Sequence, residues 1–125
     1  MTIKYYKDEE VQELIEDICN VLDIKNKDRI IGVKSYGSKS KRIFARCWAM
    51  SKIFTLADIP IYYAIEVLGE KWDKLSRDKK EQIVIHELLH IPKSFGGGLR
   101  PHKNFVTYSK VMHLWKLYKQ KKNVN

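Results

Sequence analysis

The most constraining feature of this 125-residue chain is the run His86-Glu87-Leu88-Leu89-His90 inside the apolar-periodic stretch Glu81-Gln82-Ile83-Val84-Ile85-His86-Glu87-Leu88-Leu89-His90-Ile91. On a helix, residues four apart lie one turn above the other on one face. Both imidazoles can then reach one metal ion, while the Glu87 carboxylate can reach a water on that metal. An H-E-x-x-H helix of this kind is the arrangement of a zinc peptidase, with two His ligands and a Glu general base. Two unpaired His and a Glu in so apolar a stretch would be costly to bury without such a purpose.

A chain of this length makes a single domain, read here as residues 1–125 with a basic tail from about residue 119. Hydrophobic residues make up 44% of it, enough for a core without staples. The formal charge of +9 makes nucleic acid, or another acidic partner, an expected contact through the basic surface. The plainer account is a lysine-rich surface that keeps a small protein soluble. Cys19 and Cys47 lack metal-site spacing and do not make a disulfide framework. Both read as small buried hydrophobes. Residues 1–7 have no apolar core of a signal peptide, and no apolar run is long enough to span a bilayer. The expectation is a cytoplasmic protein without a membrane partner.

Periodicity places the motif in context. Residues 8–22 predict an amphipathic helix through Val11, Leu14, Ile15, Ile18 and Leu22, with Asp8, Glu9 and Glu10 at its positive end. Residues 29–36 predict a strand, 37–41 a turn, and 42–50 the return strand of a hairpin. In that return strand Ile43, Ala45, Cys47 and Ala49 share one face, and Phe44, Arg46, Trp48 and Met50 the other. Its alanines and methionine also permit a helix. Residues 60–68 predict the clearest strand, starting at Pro60. Ser76 is the expected N-cap of the motif helix, which Pro92 ends. Residues 93–101, with Gly96, Gly97 and Gly98, form a loop, and a last helix is expected over residues 103–119 with a frayed tail.

Catalytic zinc takes three protein ligands and keeps one position open. His102 follows the glycine loop, which is short enough to hold it near His86 and His90 and so makes it the third ligand. His113 lies roughly 16 Å further along an intact helix and cannot share that metal. The expected site is therefore one Zn2+ on His86, His90 and His102, with Glu87 taking the proton from water and passing it to the leaving amine. Arg100, Tyr63 and Tyr108 are candidates to stabilise the tetrahedral intermediate, and the sequence does not choose among them. A closed structural zinc would need a fourth Cys or His, for which Cys19 and Cys47 are poorly placed.

The run from His86 to His102, HELLHIPKSFGGGLRPH, and Phe105 three residues beyond it resemble the phage and archaeal metallopeptidase family and, more widely, the SprT-like (Spartan) and WLM minimal zincin proteases. The likeness is strongest over residues 60–105. It implies an α+β, minimal zincin-like fold: an N-terminal helix, a small, mostly antiparallel three-stranded sheet, the motif helix, and a C-terminal helix bearing the third ligand. It also implies a peptide substrate paired to a strand beside the cleft, either residues 60–68 or their neighbour. Spartan-type relatives act on proteins crosslinked to DNA, and the positive charge fits such DNA-associated substrates. This chain carries no separate DNA-binding module. The competing function is a basic nucleic-acid-associated protein whose zinc site is inactive or structural.

Overall fold

The computed structural model of the chain describes residues 2–124. Its first helix, α1 (Glu9–Val21), starts where Asp8 accepts the Val11 N–H at 3.0 Å. Of the predicted stripe Val11, Leu14, Ile15 and Ile18 are at most 1% exposed, Leu22 is half-buried beyond the helix end, and Cys19 joins the buried face. The helix docks on strand β2 (Ile30–Tyr36) at backbone distance, because a Cβ on Gly32 would lie 2.7 Å from the Gln12 nitrogen. Gln12 fixes the crossing: its carbonyl accepts the Gly32 N–H at 2.7 Å, and its amide donates to the Ile30 carbonyl at 3.0 Å.

The fold is α+β as expected, but the sheet is not the three-stranded antiparallel one. It has four strands in the order β1-β2-β4-β3, completed by β1 (Lys4–Lys7), β3 (Ala45–Ala49) and β4 (Tyr63–Leu68). Strands β2 and β3 do not form a hairpin. Instead β4 lies between them, parallel to β2 from Ile30↔Tyr63 to Ser35↔Leu68 and antiparallel to β3. The physical reason is burial. In β4 five of six residues are buried, so it needs neighbours on both edges, whereas Trp48 and Ala49 of β3 are exposed and suit an edge. Strand β1 was not foreseen because all its residues are exposed, leaving no apolar alternation to read. Main-chain pairing with β2, such as Tyr5↔Ser35, holds it.

Helix α2 (Gly69–Trp72) is a single turn that puts Trp72 into the core at 0% exposure. The motif helix α3 (Arg77–Leu89) starts at the predicted cap, Ser76, which accepts the Lys79 N–H. Helix α4 (Tyr108–Asn123) is capped by Thr107 and begins five residues later than expected. Residues 102–106 form a turn instead, with Asn104 at φ 72° and the Val106 N–H on the His102 carbonyl. The basic tail is not frayed up to Asn123: Lys119 pairs with Glu81 at 3.2 Å and Lys122 with Asp17 at 2.8 Å. Helices α1, α3 and α4 pack against one another on one face of the sheet, with Ile65 and Val67 of β4 buried beneath them.

The opposite sheet face carries Glu66, which is fully buried. Ser35 Oγ donates to it at 2.5 Å, Trp48 Nε1 at 2.8 Å, and the Arg46 guanidinium stands at 3.5 Å. This network ties β2, β4 and the edge strand β3 together. Burial pushes the Cys19 and Cys47 thiols up to about 12, so both stay protonated; Cys19 is buried as expected, whereas Cys47 is only half-buried. Among the described residues no helix is long and apolar enough to cross a membrane.

Candidate metal centre

His86 and His90 project from one face of α3, with ring centroids 5.3 Å apart. His102 arrives from outside the helix, its ring 5.4 Å from that of His86 and 4.5 Å from that of His90. One ring nitrogen from each of the three lies within 4.8 Å of the others, and among the described residues no other His, Cys, Asp or Glu joins the cluster. His102 is not carried on the last helix, which was the expected place, but on the turn before it.

Long-range bonds deliver His102. After α3 the chain turns through Phe95 at φ 54°, Gly97 at φ 97° and Gly98 at φ 75°. Gly97 could not carry a side chain comfortably, since a Cβ would meet the Met50 carbonyl and the Lys52 nitrogen at 3.0 Å. Tyr63 Oη clamps the loop to the sheet, accepting the Gly97 N–H at 3.0 Å and donating to the Gly98 carbonyl at 3.1 Å. The Tyr63 ring packs edge-on against Phe95. At the helix end, the Arg100 N–H donates to the His90 carbonyl at 2.7 Å and its Nε to the Leu89 carbonyl at 3.1 Å. The Arg100 carbonyl lies 2.8 Å from His90 Nδ1. A carbonyl only accepts, so Nδ1 carries the hydrogen and Nε2 keeps its lone pair for a metal. Backbone partners of this kind leave no trace in a sequence, and this one was not foreseen.

The electrostatics suit a cation. Burial, then the neighbouring His90 and His102, hold the His86 imidazole down at about 4, so it is neutral near pH 7, the form that ligates metal. Burial alone raises the Glu87 carboxyl to about 7. Glu87 is 7% exposed, and its Oε2 stands 3.9 Å from His86 Nε2. Three imidazoles with no fourth protein donor match the donor set of a zinc site that keeps one position open.

The cluster opens into a cleft of about 880 Å³ between α3, α4 and the segment leading into β3. Tyr108 stands on this cleft and is 80% exposed. Tyr63 and Arg100 are placed differently: the hydroxyl of the first and the Nε of the second are held by the loop and the helix end, and Arg100 stacks over Phe105. His113 lines a separate shallow hollow with Leu89 and Leu114, away from the three-His cluster. Sequence reading also passed over Lys79 and Ile83 as cleft residues, although they share the face of His86 at helical spacing.

Neither a curated protein sequence nor a solved structure matches the chain. One family model, described as putative phage metallopeptidase, matches residues 3–124; that description implies a metal and a protein or peptide substrate, and the chain belongs to this family.

Proposed function

We propose that the protein is a zinc-dependent endopeptidase in which His86, His90 and His102 hold one Zn2+ per chain and Glu87 is the general base. The convergence of three imidazoles beside a buried carboxylate at the floor of an open cleft carries this reading. Zinc there would supply Lewis acidity, lowering the pKa of water and polarising the scissile carbonyl. Glu87 takes a proton from the attacking water and returns it to the nitrogen of the leaving amine. Burial raises its carboxyl, and zinc close by would oppose that rise and keep it a carboxylate able to take the proton. The Arg100 carbonyl keeps the His90 ring in one tautomer and orientation.

The expected substrate strand was residues 60–68 or its neighbour. Because β4 is interior, the neighbour β3 is the edge that an extended peptide can join, and Ala45, Arg46 and Cys47 of β3 line the cleft. Of the three candidate stabilisers of the tetrahedral intermediate, Tyr108 fits best, since its side chain stands exposed on the cleft wall while Tyr63 and Arg100 are tethered. The likeness to SprT-like and WLM proteases rests on the motif, His102 and Phe105. Action on DNA-associated proteins rests on the net charge of +9.

The test is Glu87→Gln, assayed for zinc content and for cleavage of a denatured protein substrate. The variant keeps its zinc and loses activity by about 10²–10⁴-fold, the range for removing a general base. Full activity in this variant would overturn the role of Glu87. A wild-type protein that binds zinc and DNA yet cleaves nothing would favour the competing reading of a basic nucleic-acid-associated protein.

A further inference from the structure

The charge and relief of the cleft also say which peptides suit it, an inference that rests on the peptidase reading of the same site. Lys79, Ile83 and His86 all line the cleft from α3, at spacings that keep them on one helix face. With a rise of 1.5 Å per residue, Ile83 stands about 4.5 Å and Lys79 about 10.5 Å from His86 along the axis. The cleft therefore changes character in steps away from the three His: first an apolar wall, then a cation.

The facing walls repeat that order. Met112 of α4 and Phe44 ahead of β3 add apolar surface, and Phe44 is 42% exposed and open to contact. Arg42 also lines the cleft, on a segment held to α2, just ahead of α3, by Lys71, which donates to the Ile43 carbonyl at 3.0 Å. The charged lining residues are Arg42, Arg46, Lys79 and Glu87, apart from the imidazoles. Glu87 belongs to the reacting centre, and Arg46 is neutralised by Glu66 at 3.5 Å. Arg42 and Lys79 are exposed, and neither enters an ion pair among the described residues. Two unopposed cations at the far end of an apolar groove complement carboxylates.

We infer that the cleft selects peptides with a large apolar side chain next to the reacting position and a carboxylate about three residues from that position. The spacing follows from an extended peptide rising about 3.3 Å per residue, so that about three residues span the 10.5 Å to Lys79.

The experiment uses zinc-loaded Glu87→Gln protein and fluorescently labelled peptides, read by anisotropy. The peptides carry Phe or Ser at the adjacent position and Glu or Lys three residues from the reacting position, in both chain directions. The Phe/Glu peptide binds at least tenfold more tightly than the Phe/Lys and Ser/Glu peptides. Adding Arg42→Glu and Lys79→Glu reverses the charge preference, so that Phe/Lys becomes the better ligand while Phe still beats Ser. The milder pair Arg42→Gln and Lys79→Gln abolishes the charge preference and guards against misfolding of the reversal variant. Equal affinity for Glu and Lys peptides, a preference that the reversal leaves unchanged, or no peptide binding at all would each overturn the inference. Cleavage assays with wild-type protein separate the two readings. Cleavage without the preference sinks the inference and spares the peptidase. Selective binding without cleavage does the opposite.

Discussion

Two regions build the metal centre by different physics. Helix α3 and its C-cap place His86, Glu87 and His90 on the backbone through local geometry: a cap at Ser76, a helical period, and an apolar side that buries Val84, Ile85 and Leu88; only the His90 ring is oriented from outside. Residues 92–106 contain no helix or strand, yet they place His102 within ligand distance of the other two. They do so through positive-φ glycines and bonds to Tyr63, Leu89 and His90. A helix position tolerates change in its surroundings, because its spacing is set by its own backbone. A loop position depends on each distant contact, so His102, the proposed third ligand, is the vulnerable one.

The sharpest way to break this contrast is His102→Ala. Zinc affinity falls by more than the roughly 10–100-fold typical of losing a partner outside the ligand set, while far-UV circular dichroism stays unchanged. Undiminished zinc binding would remove His102 from the site. Gly97→Ala comes next. It forces a Cβ onto φ 97° and against the Met50 carbonyl at 3.0 Å, at a cost of about 1–3 kcal/mol. A zinc titration should show weaker binding with α3 still helical.

Tyr63→Phe removes the hydroxyl that holds Gly97 and Gly98 but keeps the ring on Phe95. It should cost about 1–3 kcal/mol, seen as a lower Tm and faster amide exchange confined to the loop. Exchange that accelerates equally across α3 would deny the independence of the two regions.

The smallest expected effect concerns the helix side. Glu81 of α3 is 3% exposed; burial pushes its carboxyl up, but Arg77, Trp115 and Lys119 outweigh this and hold it below its ordinary 4.5. A depressed folded-state pKa gives stability that is present above the unfolded value and lost as pH falls through the folded one. Glu81→Gln should therefore lower Tm at pH 7 and match the parent more closely as pH drops below about 4.5, the range in which the unfolded carboxyl protonates. A gap in Tm that stays constant down to pH 2 would show that the ion contacts contribute nothing.

How much of this was readable follows the same division. Helix α1, the cap at Ser76, the strand predicted over residues 60–68, which forms only from Tyr63 on, and the shared face of His86 and His90 all come from short-range signals. The alternation of residues 45–49 was also legible, with Cys47 opposite Ile65 and Trp48 opposite Ala64 in the observed register. What it paired with was not, because partner choice depended on the two-sided burial of β4. Strand β1 carries no apolar pattern and exists through its main-chain bonds to β2. The residues assigned to the intermediate show the limit most clearly. Tyr63, Arg100 and Tyr108 look alike as donors in a sequence, yet the first two are held by the loop they stabilise.

The sequence by itself determined that this chain carries an α3 face able to hold a metal and a base, since a fixed rise and twist per residue turn spacing into geometry. Only the tertiary structure decided that β3 is the edge beside the cleft, that a carbonyl orients His90, and that a turn ahead of α4 carries His102. Each depends on groups distant in the chain meeting through backbone atoms, which every residue has and no spacing reveals.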